Sequence, residues 1–380
     1  MQKAIREEHL DGWLFCNFHH RDTLSDAILH IPSTASNSRF WVYAVPRDGS
    51  ACKIVHAIES TILDALPGIT TVYQSRAEFI AALETLAGRR WGVHVSDTLP
   101  SVSFLDAGSA RTFAAAGLEL ASAAGLIQHF KGLLDAQGVA SHEWAARQLY
   151  DLVALAWSMV KNAYTGNKSI YEGDVRALFL DEMHTRGLVT DHNPIVGAGV
   201  HSGNPHYDFS GTGAAFAEGD VIQFDLWAKE NAENAIYADI SWVGVFGREV
   251  PPPVAKAFAN LVEARETAFR FIETELGAGR TLTGVDVDRT TRDCLTAFGY
   301  AAAIKHRTGH GIDTEVHGFG VNIDSVEFPD SRPILEGSCF SLEPGLYFAD
   351  FGLRTEIDVY IAQKKPIVSG KNRQFALLTC

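Results

Sequence analysis

The stretch VIQFDLWAKENAENAIYADISWVGVFG (221–247) decides how the rest of the chain is read. It is an apolar run, a polar turn and a second apolar run, the pattern of a β-hairpin. Asp225 and Asp239 sit inside the apolar runs. A second stretch, CFSLEPGLYFADFGLRTEIDVYIA (339–362), repeats the design with Glu343 and Glu356. An isolated carboxylate in such a place is costly, because burial disfavours its ionised form. The spacings, 239 − 225 = 14 and 356 − 343 = 13, allow the members of each pair to lie across from each other on neighbouring strands. Like charges so placed repel, and four of them between two hairpins require a cation. Hard oxygen donors suit Mg2+ or Mn2+, and a histidine moves the preference toward Mn, Co, Fe or Zn.

His310, in Thr308-Gly309-His310-Gly311-Ile312, supplies that histidine, and His317 follows seven residues later. Singly, an aspartate in a strand reads as a bulge or a hydrogen-bonded structural group, and a histidine between glycines reads as a turn. In this order and spacing they read as one site. Four carboxylates and an imidazole over-supply one ion, so two ions sharing bridging carboxylates are expected. Two-metal sites hold their ions about 3.5–4 Å apart and turn a bridging water into a nucleophile, the chemistry of amide and phosphoester hydrolysis.

Outward from the hairpins, the second half of the chain reads helix, helix, hairpin, twice. The helices are expected over 141–165, with Ser141 as cap, over 172–186, through VAKAFANLVEARETAFRFIETEL and through VDVDRTTRDCLTAFGY. The first ~150 residues alternate strand-like runs (DGWLFCNF, FWVYAVP, ACKIVHAI, RWGVHVS) with helical patterns, which suggests an α/β layer domain. No catalytic constellation stands out there, and the adjacent His19 and His20 read as surface or turn residues. The expected domains are 1–138 and 139–380.

The chain of 380 residues is 46% hydrophobic and 21% charged, an ordinary globular composition with ample core. A net charge of −14 repels phosphate backbones and disfavours nucleic acid as a partner. Five scattered cysteines without a Cys-x-x-Cys read as free thiols in a reducing compartment. The charged N-terminus and the lack of an ~18-residue apolar run lead to the expectation of a cytoplasmic protein with no membrane contact.

The order Asp225, Asp239, Gly-His-Gly-Ile, Val-His, Glu-Pro-Gly and Arg-x-Glu resembles the pita-bread metallopeptidases, among them methionine aminopeptidase, aminopeptidase P and prolidase. The resemblance covers roughly 190–360. It implies an α+β catalytic domain whose two pseudo-symmetric helix-helix-hairpin halves surround a curved antiparallel sheet. It implies metal ligands at Asp225, Asp239, His310, Glu343 and Glu356, with Asp239 and Glu356 bridging two divalent ions, Mn2+ before Co2+ or Zn2+. It also implies that Glu343 is the general base and that His206, in Asn204-Pro205-His206-Tyr207, faces the substrate. His317 would bind the scissile carbonyl side and the transition state. Arg354, two residues before a ligand, is expected to hold a carboxylate by a bidentate contact.

The N-terminal part resembles the creatinase/prolidase N-terminal domain, which methionine aminopeptidases generally lack. This implies a homodimer acting on proline-containing dipeptides or peptides. The length favours a Xaa-Pro dipeptidase over a Xaa-Pro aminopeptidase. A metal-free hydrolase like creatinase and a non-enzymatic binding protein rank lower, because all five ligand positions are filled. Arg332 is a candidate for the substrate carboxylate, with a surface arginine as the plainer reading. The chain departs from the family pattern at Asp313, where a glycine is usual, at Gly318, where a glutamate is usual, and at Ser241-Trp242, where Thr-Arg is usual. These departures bear on the substrate pocket rather than on the ligands.

Overall fold

Alternating strand and helix patterns in the first part of the chain become a mixed sheet with helices. A computed structural model describes all residues, Met1–Cys380, and the chain divides into two compact units, Met1–Lys131 and Gly132–Cys380. The sequence pattern predicts that division at 138/139. In the first unit the order is α1 (Gln2–Glu7), β1 (Gly12–Asn17), α2 (Thr23–Leu29), β2 (Trp41–Pro46), β3 (Cys52–His56), β4 (Ile69–Tyr73), α3 (Arg76–Glu84), β5 (Arg90–Val93), α4 (Ala107–Ala115), β6 (Glu119–Ser122) and α5 (Ala124–Lys131). The six strands form one sheet in the order β4-β3-β2-β1-β5-β6. Its centre is antiparallel (β1–β2, β2–β3) and its flanks are parallel (β3–β4, β1–β5, β5–β6). Trp13, Trp41 and Trp91 are fully buried along it. His19 and His20 lie in a turn with φ of 57° and 52°, and the His20 ring is held by Asp26 and the Ala35 carbonyl.

The second unit opens with α6 (Ala136–Thr165), which starts before the expected cap. Asp135 is the cap, its carboxylate accepting from the Gly138 N–H at 2.8 Å. Ser141 instead lies inside the helix, where its Oγ accepts from the Ile236 N–H. Then follow α7 (Glu172–Thr185), β7 (Leu188–Val189), β8 (Ile195–Ala198), β9 (Val221–Glu230), β10 (Ala238–Val245), α8 (Pro252–Gly277) and α9 (Gly284–Ala297). The chain closes with β11 (Cys339–Leu342), β12 (Gly345–Tyr347), β13 (Gly352–Arg354), β14 (Ile357–Ala362), β15 (Lys365–Val368) and β16 (Leu378–Thr379). The expected pattern of two helices and a hairpin, twice, is present.

The first hairpin, β9–β10, is one antiparallel ladder in a sheet ordered β16-β10-β9-β7, with β8 also on β9. Its outer face packs on α6 and α7 through Leu149, Val153, Ala156, Phe179 and Phe224, all buried. This leaves its other face for polar residues. The second hairpin is split. β11–β14 belong to a three-stranded sheet with β15, and β12–β13 form a separate ribbon. The breaks fall at Glu343-Pro344 and Thr355-Glu356. Proline cannot donate to a ladder, which is a sufficient reason for the interruption. All five cysteines are free, and no helix is long and apolar enough to cross a membrane.

Candidate metal centre

Side chains two residues apart on a strand share a face, so Asp225 on β9 and Asp239 on β10 can both point away from α6 and α7. The register pairs Asp225 with Ser241 and Asp239 with Trp227. The two aspartates are therefore diagonal neighbours rather than opposite one another. That separation eases the repulsion expected of a facing pair. The register of the second hairpin, Leu342 opposite Ile357 and Gly345 opposite Arg354, sets Glu343 and Glu356 level at its break.

His310 arrives on a loop fixed from both sides. Its backbone N–H donates to Ser341 Oγ at 3.0 Å, and the Ser341 N–H donates to its carbonyl at 2.9 Å. Gly309 exists for this approach, since a Cβ there would lie 1.9 Å from the Ser341 carbonyl oxygen. The ring Nδ1 is 3.2 Å from the Gly311 carbonyl, so Nδ1 carries the proton and Nε2 is a free donor atom. Nε2 lies 3.5 Å from Asp239 Oδ2 and 3.3 Å from Glu343 Oε1.

Donor atoms of Asp239, His310 and Glu356 all lie within 4.8 Å of one another, and all three residues are buried. Glu343 adjoins them through His310. Asp225 is reached through Ser241, whose Oγ is 2.7 Å from Asp225 Oδ1 and 2.8 Å from Glu356 Oε2. A hydroxyl has one proton to give, so one of these two contacts needs a protonated carboxyl. Burial pushes the pKa of Asp239 and of Glu356 well up, and repulsion from neighbouring carboxylates adds to it. Asp239 Oδ1 and Glu356 Oε1 are buried without any hydrogen-bond partner. Unpaired buried oxygens of this kind are rare, because each costs about 1–3 kcal/mol. Hard oxygens beside an imidazole held neutral by burial are the donor set of a divalent cation, so the residues fit one.

The remaining expected residues fall as follows. The His317 ring is 4.3 Å from that of His310, edge to face, and is exposed to solvent on one side. The neighbouring His310, followed by desolvation, pushes its pKa down to about 3, so it is neutral. His206 is exposed in the turn after β8, near enough to His317 for its charge to oppose protonation there. Arg354 does not make the bidentate contact expected of it. One nitrogen meets Asp225 Oδ2, and Nε donates to Ser241 Oγ at 2.9 Å. Burial opposes its charge, but Asp225, Tyr347 and Glu343 more than hold it. Arg332 is neither at the surface nor free for a substrate. It is buried, bonded to Asp330 and to the carbonyls of Phe319 and Gly320.

Several supporting residues escaped the sequence reading. Asp358 Oδ2 accepts the Asp239 backbone N–H at 2.7 Å. Gln223 exchanges two bonds with the Arg354 backbone. His306 Nε2 is 2.7 Å from the Tyr347 hydroxyl, and its pKa is lowered to about 4, mainly by burial. Asp288 receives both the backbone and hydroxyl protons of Thr308, at the foot of the His310 loop. A signal existed for two of them. Gln223 lies two residues before Asp225, on the same face of β9, and Asp358 follows Glu356 by two, near the start of β14.

The chain matches the model of metallopeptidase family M24 over residues 144–363. It is 30% identical over 202 residues to "Probable dipeptidase PepE" of Mycobacterium tuberculosis, covering 53% of this chain and 50% of that protein. It is 32% identical over 164 residues to "Xaa-Pro dipeptidase" of Lactobacillus helveticus, covering 43% and 40%. It is 27% identical over 205 residues to "Putative Xaa-Pro aminopeptidase" of Mycoplasma genitalium, covering 51% and 53%. The chain thus spans about half the length of the curated relatives it matches. Among solved structures, the fold is shared with dipeptidase PepE from Mycobacterium ulcerans (TM-score 0.73, 20% identity, 100% of this chain and 95% of that one). It is shared with a prolidase from Thermococcus sibiricus (0.65, 22%, 100% and 97%). It is also shared with the N-terminal domain of FACT complex subunit SPT16 from chickpea (0.68, 13%, 99% and 95%).

Proposed function

The chain belongs to metallopeptidase family M24, and on that premise we propose that it hydrolyses the Xaa-Pro bond of dipeptides with two divalent cations, Mn2+ foremost. The observation that carries this reading is the buried cluster of Asp239, His310 and Glu356, with two carboxylate oxygens left unpartnered. Asp239, His310 and Glu356 would hold the ions, with Asp225 and Glu343 completing the set. When bound, the ions supply an acidified water and a polarised scissile carbonyl. Glu343, beside His310, is the base that accepts the proton of the attacking water. His317 is neutral and exposed on one side, and donates to the oxygen on which charge develops. His206, on the solvent side, faces the substrate. Arg354 holds Asp225 and Ser241 in place.

The test is incubation with a Xaa-Pro dipeptide and a Xaa-Pro tripeptide in Mn2+. Cleavage of the dipeptide is expected. Cleavage of the tripeptide alone would replace this reading with the second one, a Xaa-Pro aminopeptidase. One observation favours that alternative: Arg332, the candidate for a dipeptide's carboxylate, is spent inside the protein. A homodimer in the cytoplasm is the proposed setting, and light scattering measures the assembly.

A further inference from the structure

Asp313 and Gly318 sit in the loop that carries His317, and one carboxylate constrains both positions. Asp313 is buried, at 1% exposure. Its Oδ1 accepts the Glu315 N–H at 2.9 Å, and its Oδ2 accepts the Phe319 N–H at 2.7 Å. One carboxylate therefore ties down both shoulders of the loop, two residues on either side of His317. The same carboxylate fills the space beside residue 318. A Cβ on Gly318 would lie 2.6 Å from Asp313 Cγ, 2.7 Å from Oδ2 and 2.8 Å from the Asp313 backbone N, closer than real Cβ atoms come. Gly318 itself is pinned, its N–H donating to the Gly311 carbonyl at 2.7 Å. The outer side of the loop is gripped by the first hairpin. Tyr237 N–H donates to the Asp313 carbonyl at 3.0 Å, and Lys229 Nζ to the Thr314 carbonyl at 2.7 Å.

We propose that Asp313 is a positioning residue for His317 and that it works only with glycine at 318, the two forming one steric and hydrogen-bonded unit. With no side chain at 318, the Asp313 carboxylate has room to brace the loop from within. His317 then presents its imidazole toward His310 and the substrate side from a fixed backbone rather than a mobile one. This rests on the reading of His317 as the transition-state donor. A displacement of about 1 Å in such a group costs up to about a hundredfold in rate.

The experiment is a double-mutant cycle read in five ways: kcat, KM, metal content, melting temperature and the NMR signal of the His317 imidazole. Asp313→Asn keeps the size but turns an amide N–H toward a backbone N–H. It is expected to lower kcat about tenfold or more with KM changed less than about twofold and metal content unchanged. Gly318→Ala is expected to lower kcat and melting temperature in the natural background and to shift the His317 signal. In an Asp313→Gly background, Gly318→Ala should do clearly less further damage, because the carboxylate it strikes is gone and only the backbone N of residue 313, 2.8 Å from the added Cβ, remains. Natural kcat in Asp313→Asn would overturn the proposal. So would equal damage from Gly318→Ala in both backgrounds. If the natural protein cleaves no Xaa-Pro substrate, the functional reading fails by itself. Melting temperature and the imidazole signal still decide whether 313 and 318 are coupled.

Discussion

The two hairpins carry the same kind of cargo and present it differently. β9–β10 is an unbroken ladder over eight residue pairs, and its aspartates lie diagonally on one face. The second hairpin keeps one register throughout but gives up its ladder where its glutamates lie. There the backbone turns to other partners. Glu343 N–H donates to the Thr308 carbonyl at 2.7 Å, and Glu356 N–H to the Ser241 carbonyl at 3.3 Å. The first hairpin reciprocates, with the Asp239 N–H bonded to Asp358 Oδ2. A carboxylate inside a ladder is aimed by its own hairpin. A carboxylate at a break is aimed by the neighbours that take over its backbone.

The largest effect should come from disturbing the point where both hairpins meet. Asp239→Asn should lose bound metal and turnover together, by more than the about hundredfold typical of outer partners. Elemental analysis with a peptidase assay checks this, and retained metal would break the assigned role. His317 lies on neither hairpin, so His317→Ala should keep the metal while kcat falls about 10²–10³-fold. Full activity there would remove His317 from the reaction. Ser241→Ala deletes the strut between Asp225 and Glu356, and should cost about 10–100-fold in metal affinity or rate. A titration with Mn2+ measures it, and an unchanged affinity would mean that the hairpins hold their spacing without the hydroxyl.

The smallest effect is on stability against pH. Asp239 and Glu356 have folded pKa values raised above the ordinary 3.8 and 4.5. Above that range the unfolded chain is ionised while the fold keeps its protons, so these groups make the metal-free fold less stable as pH rises. A bound cation removes the penalty by taking the place of the protons. The rise in melting temperature on adding Mn2+ should therefore grow from about pH 5 to about pH 8. A rise that is flat with pH would detach these two carboxylates from the cation.

Much of this was legible in the residues. Charged side chains inside apolar runs announce a compensated site, and strand alternation tells which faces they share. The break in the second hairpin was not read from the sequence, although Pro344 stands where it falls. Arg332 was misread because, although Asp330 lies two residues before it, the carbonyls of Phe319 and Gly320 that also hold it are 13 and 12 residues away. The start of α6 was misread because Asp135 and Ser141 are both good caps, and Ser141 Oγ accepts from the Ile236 N–H instead. Asp288 and His306 act through contacts far along the chain, which spacing does not encode.

Gly309 has a practical corollary. With the Ser341 oxygen so close to where a side chain would begin, that position has no permissible alternative. Libraries built to alter substrate preference would waste every clone that varies it.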